Sequence, residues 1–159
     1  MSRDTNKQKF YKLYFDGSCG PKNPGGDLGF AFILRDSNDN EIKRFSKQIK
    51  KEDYIEGVTS NNLAEYLGLI SGLEYLLESK LHLERIYIYG DSSLVINQMN
   101  GYWGIKDGLY RHAAERAILL SKKLLDIKFK FIRREFNKDC DIISKYNYRE
   151  IDFYFLDCD

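Results

Sequence analysis

The order of hydrophobic patterns along the chain limits its fold more than any other feature. Three strand-like runs come first, over Gln8–Asp16, Leu28–Arg35 and Glu41–Ile49, separated only by short turn-rich segments. Consecutive strands with short connections form an antiparallel meander. The pattern then changes period. Leu63, Leu67, Ile70, Leu73 and Leu77 recur at helical spacing, which predicts a helix over Asn61–Ser79 with Ser60 or Asn61 as its N-cap. A strand follows at Arg85–Asp91, and then a short helix over residues 92–101 that Gly101 stops. A longer amphipathic helix is expected over Asp107–Leu125, a fifth strand over Ile127–Arg133 and a last helix over Asp139–Tyr148. Strands separated by helices run parallel to one another. The expectation is an α/β fold, a mixed five-stranded sheet with helices on its faces.

The two prolines, Pro21 and Pro24, both lie in the turn after the first strand, and no linker, repeat or low-complexity tract interrupts the chain. We therefore read residues 1–159 as one domain, with 1–7 expected to be flexible and 149–159 an apolar C-terminal extension. The composition, 43% apolar and 31% charged, is that of a folded globular protein. No apolar run approaches the roughly 20 residues of a membrane helix. No signal peptide is evident, so a cytoplasmic location is expected. A net charge of +1 does not by itself announce a nucleic-acid partner. Cys19, Cys140 and Cys158 share no metal-ligand spacing and read as reduced thiols, a Cys19–Cys140 bridge being the lesser alternative.

Four acids stand at the ends of these elements. Asp16 closes the first strand and Asp91 the fourth; Glu65 lies early in an otherwise apolar helix, and Asp141 in the first turn of the last one. Taken singly, each has a plain explanation as a turn former or a complement to a helix dipole. Taken together, four carboxylates on one edge of a sheet repel one another unless protonated or neutralised by cations. Oxygen-only ligand sets suit Mg²⁺ or Mn²⁺ rather than zinc. Two such ions about 4 Å apart are the arrangement for in-line attack on a phosphodiester.

The motifs around these acids are "YFDGSCGPKNPGGDLGFAFIL", "TSNNLAEYLGLISGLEYLL", "IYIYGDSSLVINQMNGYWGIK" and "RREFNKDCDIIS". In this order, from Tyr14 to Ser144, they resemble type 1 ribonuclease H. The resemblance implies the ribonuclease H-like fold, with sheet order 3-2-1-4-5 and strand 2 antiparallel. It implies an endoribonuclease that hydrolyses the RNA strand of RNA–DNA hybrids and leaves 5′-phosphate and 3′-hydroxyl ends. Asp16, Glu65, Asp91 and Asp141 would be the catalytic metal ligands, holding two Mg²⁺ (or Mn²⁺) ions with substrate bound. Substrate contacts would fall to Asn23, Asn61, Asn62 and Gln98, with Ser60 near a phosphate of the DNA strand. Asn61 also reads as a simple N-cap. Trp103, the only tryptophan, reads equally as a core residue or as a neighbour of the DNA backbone. Lys106, Arg133 and Arg134 could meet phosphates. The RNA–DNA hybrid is the partner expected, with no membrane and no obligate protein partner, and the chain is expected to be a monomer.

The chain departs from that family in three respects. The histidine that many members carry near the last aspartate falls at Phe131, and neither His82 nor His112 aligns with it. Glu135 or Asn137 could fill the role. Neither a hybrid-binding N-terminal domain nor a basic protrusion is expected. An integrase- or transposase-like core acting on DNA is a further reading, opposed by the Asn61–Asn62 pair and by the fourth acid. A non-catalytic hybrid-binding module is opposed by the presence of all four acids.

Overall fold

The computed structural model describes residues 9–145. β1 (Phe10–Gly20), β2 (Asp27–Asp36) and β3 (Glu41–Ile49) form the antiparallel meander. α1 (Asn61–Glu78) leads to β4 (Arg85–Gly90), which is followed by α2 (Ser93–Met99), α3 (Arg111–Ser121), β5 (Asp126–Phe131) and α4 (Lys138–Lys145). The five strands make one sheet in the order β3-β2-β1-β4-β5. β1 pairs antiparallel with β2 and parallel with β4, and β4 pairs parallel with β5. The sheet order and the mixed pairing are those expected from the sequence.

Alternation along the central strands divides the side chains between two faces. Leu13 and Phe15 of β1 join Ile86 and Ile88 of β4 and the apolar side of α1 in the main core. Ala31 and Ile33 of β2 pack with Cys140 and Ile143 of α4 in a smaller cluster on the other face. The buried stripe of α1 runs through Leu63, Tyr66, Leu69, Ile70, Leu73 and Leu76. Leu67 and Leu77, expected inside it, are partly buried at its margin. The helix approaches β1 closely because glycines face the contact. A Cβ on Gly17 would lie 2.2 Å from the carbonyl carbon of Ala64, and one on Gly68 would lie 2.6 Å from the carbonyl oxygen of Asp16.

Three expectations need correction. β1 does not end at Asp16: it continues to Gly20, because Gly17–Gly20 go on pairing with Asp27–Phe30 of β2. The Asp16-Gly17-Ser18 segment is therefore strand, and the chain turns only after Gly20. β5 stops at Phe131, where its partner strand β4 runs out at Gly90. The α3 segment is shorter than its apolar pattern. Tyr110 gives it no side-chain cap, and after Ser121 the amides of Lys123 and Leu124 bond three residues back, tightening the chain into a turn. Cys19 and Cys140 are free thiols, as expected, each bonded to a backbone carbonyl, of Lys22 and Tyr14 respectively. Residues 1–8 and 146–159, which hold Cys158, the expected end of the last helix at Tyr148 and the expected C-terminal extension, lie outside the described residues. No helix among those described is long and apolar enough to cross a membrane.

Candidate active site

The central strand carries the first acid. Parallel pairing of β1 with β4 ends at Tyr14↔Tyr89, while antiparallel pairing with β2 continues to Gly20↔Asp27. Asp16 thus sits in the fork where β1 and β4 part, buried to 4% exposure. Its Oδ1 accepts the amide of Gly17 at 2.9 Å. Glu65 enters from α1, whose start is fixed by Ser60: the Ser60 hydroxyl accepts from the Leu63 amide at 3.2 Å. Asp91 follows β4 directly. Gly90 precedes it because a Cβ there would meet the ring of Phe15 at 2.5 Å.

One carboxylate oxygen from each of Asp16, Glu65 and Asp91 lies within 4.8 Å of the other two. Burial pushes the Asp16 carboxyl up to about 7, with the Asp91 charge adding to the effect. Burial also holds Glu65 well above its ordinary value, reinforced by Asp16. Asp91 is raised by desolvation, against the opposing pull of Asn137 and Arg134. Glu65 Oε2 is sealed from solvent and has no hydrogen-bond partner. A buried carboxylate oxygen without a donor is costly unless a proton or a cation meets it. The donor set is oxygen only, which fits a hard divalent cation.

Asp141 is not in this group of three. It stands in the first turn of α4, and Lys145 approaches its Oδ2 at 3.4 Å. Its charge still reaches the site, raising both Asp16 and Asp91.

Asn137, named from the sequence only as a stand-in for the missing histidine, plays a different part in the site. It is buried, and its Nδ2 donates to the Phe15 carbonyl at 2.9 Å and to Asp91 Oδ2 at 3.3 Å. It ties the Asp91 carboxylate to the backbone beside Asp16. An amide does not titrate, so Asn137 does not stand in for the family's histidine as a proton carrier. The only sequence signal for this bond was the asparagine in "NKDCD". Glu135 and Phe131 are both exposed.

The residues expected to touch substrate divide into two groups. Asn23, Ser60, Asn61 and Asn62 share one rim beside α1. The Asn23 side-chain carbonyl accepts from the Asn61 amide at 2.9 Å, and that of Asn61 accepts from the Cys19 amide at 2.7 Å. The Gly25 amide and Thr59 Oγ1 complete this lacing, bonding to the carbonyls of Thr59 and Gly26. It fixes the turn after β1 against the start of α1. Gln98 and Trp103 stand apart from that rim. Gln98 is 3% exposed, with its amide spent on internal bonds, so the structure does not bring it to the surface. Trp103 is 49% exposed, a surface residue rather than a core one.

Comparison with known proteins agrees with this geometry. The family described as reverse transcriptase-like matches residues 14–147. The bifunctional protein Rv2228c of Mycobacterium tuberculosis is 27% identical over 133 residues, covering 84% of this chain and 34% of its own length. The chain thus spans about a third of the curated relatives it first matches. The ribonuclease H of Chlorobium phaeobacteroides is 26% identical over 153 residues, covering 87% of this chain and 94% of its own. Among solved structures, LC11-RNase H1 in complex with an RNA/DNA hybrid superposes with a TM-score of 0.75 at 25% identity, covering 89% of this chain and 98% of that one. With a family model matching most of its length and the sheet order of its ribonuclease H neighbours, the chain belongs to the reverse transcriptase-like family, alongside the type 1 ribonucleases H.

Proposed function

We propose that the protein is a metal-dependent endoribonuclease that hydrolyses the RNA strand of RNA–DNA hybrids. The observation that carries this reading is the trio of Asp16, Glu65 and Asp91, with an unpartnered buried oxygen on Glu65. The solved relative whose title names a bound RNA/DNA hybrid supports the substrate class.

Asp16, Glu65 and Asp91 are the residues that would hold divalent cations, Mg²⁺ or Mn²⁺, with Asp141 able to join from α4 once released from Lys145. Two such ions, when bound, would supply positive charge for the attacking water and for the leaving 3′ oxygen, a chemistry that would give 5′-phosphate and 3′-hydroxyl products. The chain's own residues set the geometry. The sheet holds Asp16 rigidly, α1 delivers Glu65 to it, and Asn137 fixes the rotamer of Asp91. Recognition of RNA requires groups that address the 2′-hydroxyl as donor and acceptor. The amides of Asn61, Asn62 and Asn23 can do both, and their rim adjoins Glu65. Ser60, the cap of α1, lies beside a phosphate of the DNA strand in this reading, and Trp103 and Lys106 extend the contact along that strand. The protein acts as a monomer and needs no protein partner.

The test is cleavage of an end-labelled RNA–DNA hybrid with Mg²⁺, Mn²⁺ or chelator, beside the Asp16→Asn variant. We expect metal-dependent cuts in the RNA strand only, and a loss of at least about 10³-fold in kcat for Asp16→Asn with the fold retained. Tight hybrid binding without turnover in either metal would instead identify a non-catalytic binding module. Cleavage that survives Asp16→Asn would overturn the ligand assignment.

A further inference from the structure

α2 ends at Met99, is capped by Asn100, and Gly101, with a φ of +77°, turns the chain away from the helix. The amides of Tyr102 and Trp103 then both bond to the carbonyl of Asn97, at 2.9 and 3.2 Å. Between Gly101 and Tyr110 the chain has neither helix nor strand. It nevertheless presents a defined cleft of about 490 Å³, lined by Leu94, Gln98, Trp103, Gly104, Lys106 and Tyr110. Gln98 reaches two points of this segment from α2. Its Nε2 donates to the Gly104 carbonyl at 3.2 Å and to the Tyr110 hydroxyl at 3.0 Å. Its Oε1 accepts from the Tyr66 hydroxyl at 2.6 Å. The rings of Tyr66 and Tyr110 stack at 5.9 Å, tilted by only 5°. Both ends of the amide are thus used, and its burial leaves nothing for a ligand.

We infer that Gln98 is a positioning residue for hybrid binding. Through Gly104 and Tyr110 it sets the pose of the Trp103–Lys106 ledge, and through Tyr66 it locks that ledge to α1, the helix carrying Glu65. This rests on the reading of the protein as a hybrid-binding nuclease. It differs from a role for Gln98 in touching the hybrid, because the contact is made by Trp103 and Lys106. The polar chain is satisfied only when all three side chains keep their places. A buried network of this kind selects one conformation of an otherwise irregular segment.

The sole tryptophan makes the idea measurable without substrate. Gln98→Leu removes the amide at similar size. Trp103 emission should shift to the red and become more accessible to acrylamide, and KM for the hybrid should rise about tenfold with kcat within about twofold. Trp103→Ala should raise KM similarly, and the double variant should be no worse than the worse single one, since both act through one contact. Unchanged emission, or KM losses that multiply in the double variant, would overturn the inference. Where Gln98→Leu fails to fold, Tyr110→Phe removes a single bond of the network and carries the same measurements. The emission arm uses the free protein, so a wild-type chain that cleaves no hybrid sinks the proposed function and leaves that arm readable.

Discussion

At the scale of single residues, the site is a set of carboxyl groups held where they would rather be neutral. Asp16 keeps its proton up to about pH 7 in the folded, metal-free protein, against an ordinary value of 3.8. Between those values the folded state binds more protons than the unfolded one. The stability this proton confers is fully present below the lower value and is lost as pH rises through about 7. Glu65 shifts in the same direction. The melting temperature in chelator should therefore fall by at least about 3 °C between pH 5 and pH 8, by differential scanning fluorimetry. Mg²⁺ or Mn²⁺ should recover most of that loss at pH 8. Asp16→Asn should flatten the profile and melt higher than wild type at pH 8, the usual trade of stability for a working site. Asp16, Glu65 and Asp91 could be picked from the sequence because acids interrupt apolar runs there. The Asn137–Asp91 bond could not: 46 residues separate its partners, and nothing local in "FNKDC" announces a contact with β4.

At the scale of elements, the contact of α1 with β1 decides where Glu65 stands. Gly17 allows this approach, since any Cβ there meets the Ala64 backbone at 2.2 Å. Backbone cannot step aside as a flexible side chain can. Gly17→Ala should cost about 2–3 kcal/mol by urea denaturation and depress cleavage further than the loss of folded protein explains. The helix and strand order, the limits of β3 and the start of α1 were all legible, because they follow from hydrophobic period and capping chemistry. The length of β1 was not. "DGS" has the residues of a turn, and only the register with β2 shows that it remains strand. The burial of Gln98 was hidden for a similar reason, since polar side chains on a short helix read as solvated until tertiary partners appear.

At the scale of the whole molecule, charge sets the grip on substrate. The chain carries 25 basic and 24 acidic residues, a net of +1. Several cations are already paired, among them Arg35 with Asp139, Arg85 with Asp126 and Arg116 with Glu74. In the proposed reading, phosphate contact would fall chiefly to Lys106, Arg133 and Arg134. A titration of the Asp16→Asn variant with labelled hybrid should give a log K against log salt slope no steeper than about −4. A much steeper slope would mean a basic surface that these residues do not account for.

The fork in the sheet has one more consequence. Past Tyr14, β1 stays bonded to β2 but no longer to β4, so the acids straddle a seam between a three-stranded half and a two-stranded half. Asn137 is a stitch across it. A cation shared by Asp16 and Asp91 would be a clasp. Amide protons of β4 and β5 should therefore exchange faster than those of β1 and β2 in chelator, as the smaller half opens on its own. Metal should slow the β4–β5 amides most and bring the two halves toward a common rate. In the proposed reading the catalytic ion would double as a fastener, closing the seam beyond the last β1–β4 pair.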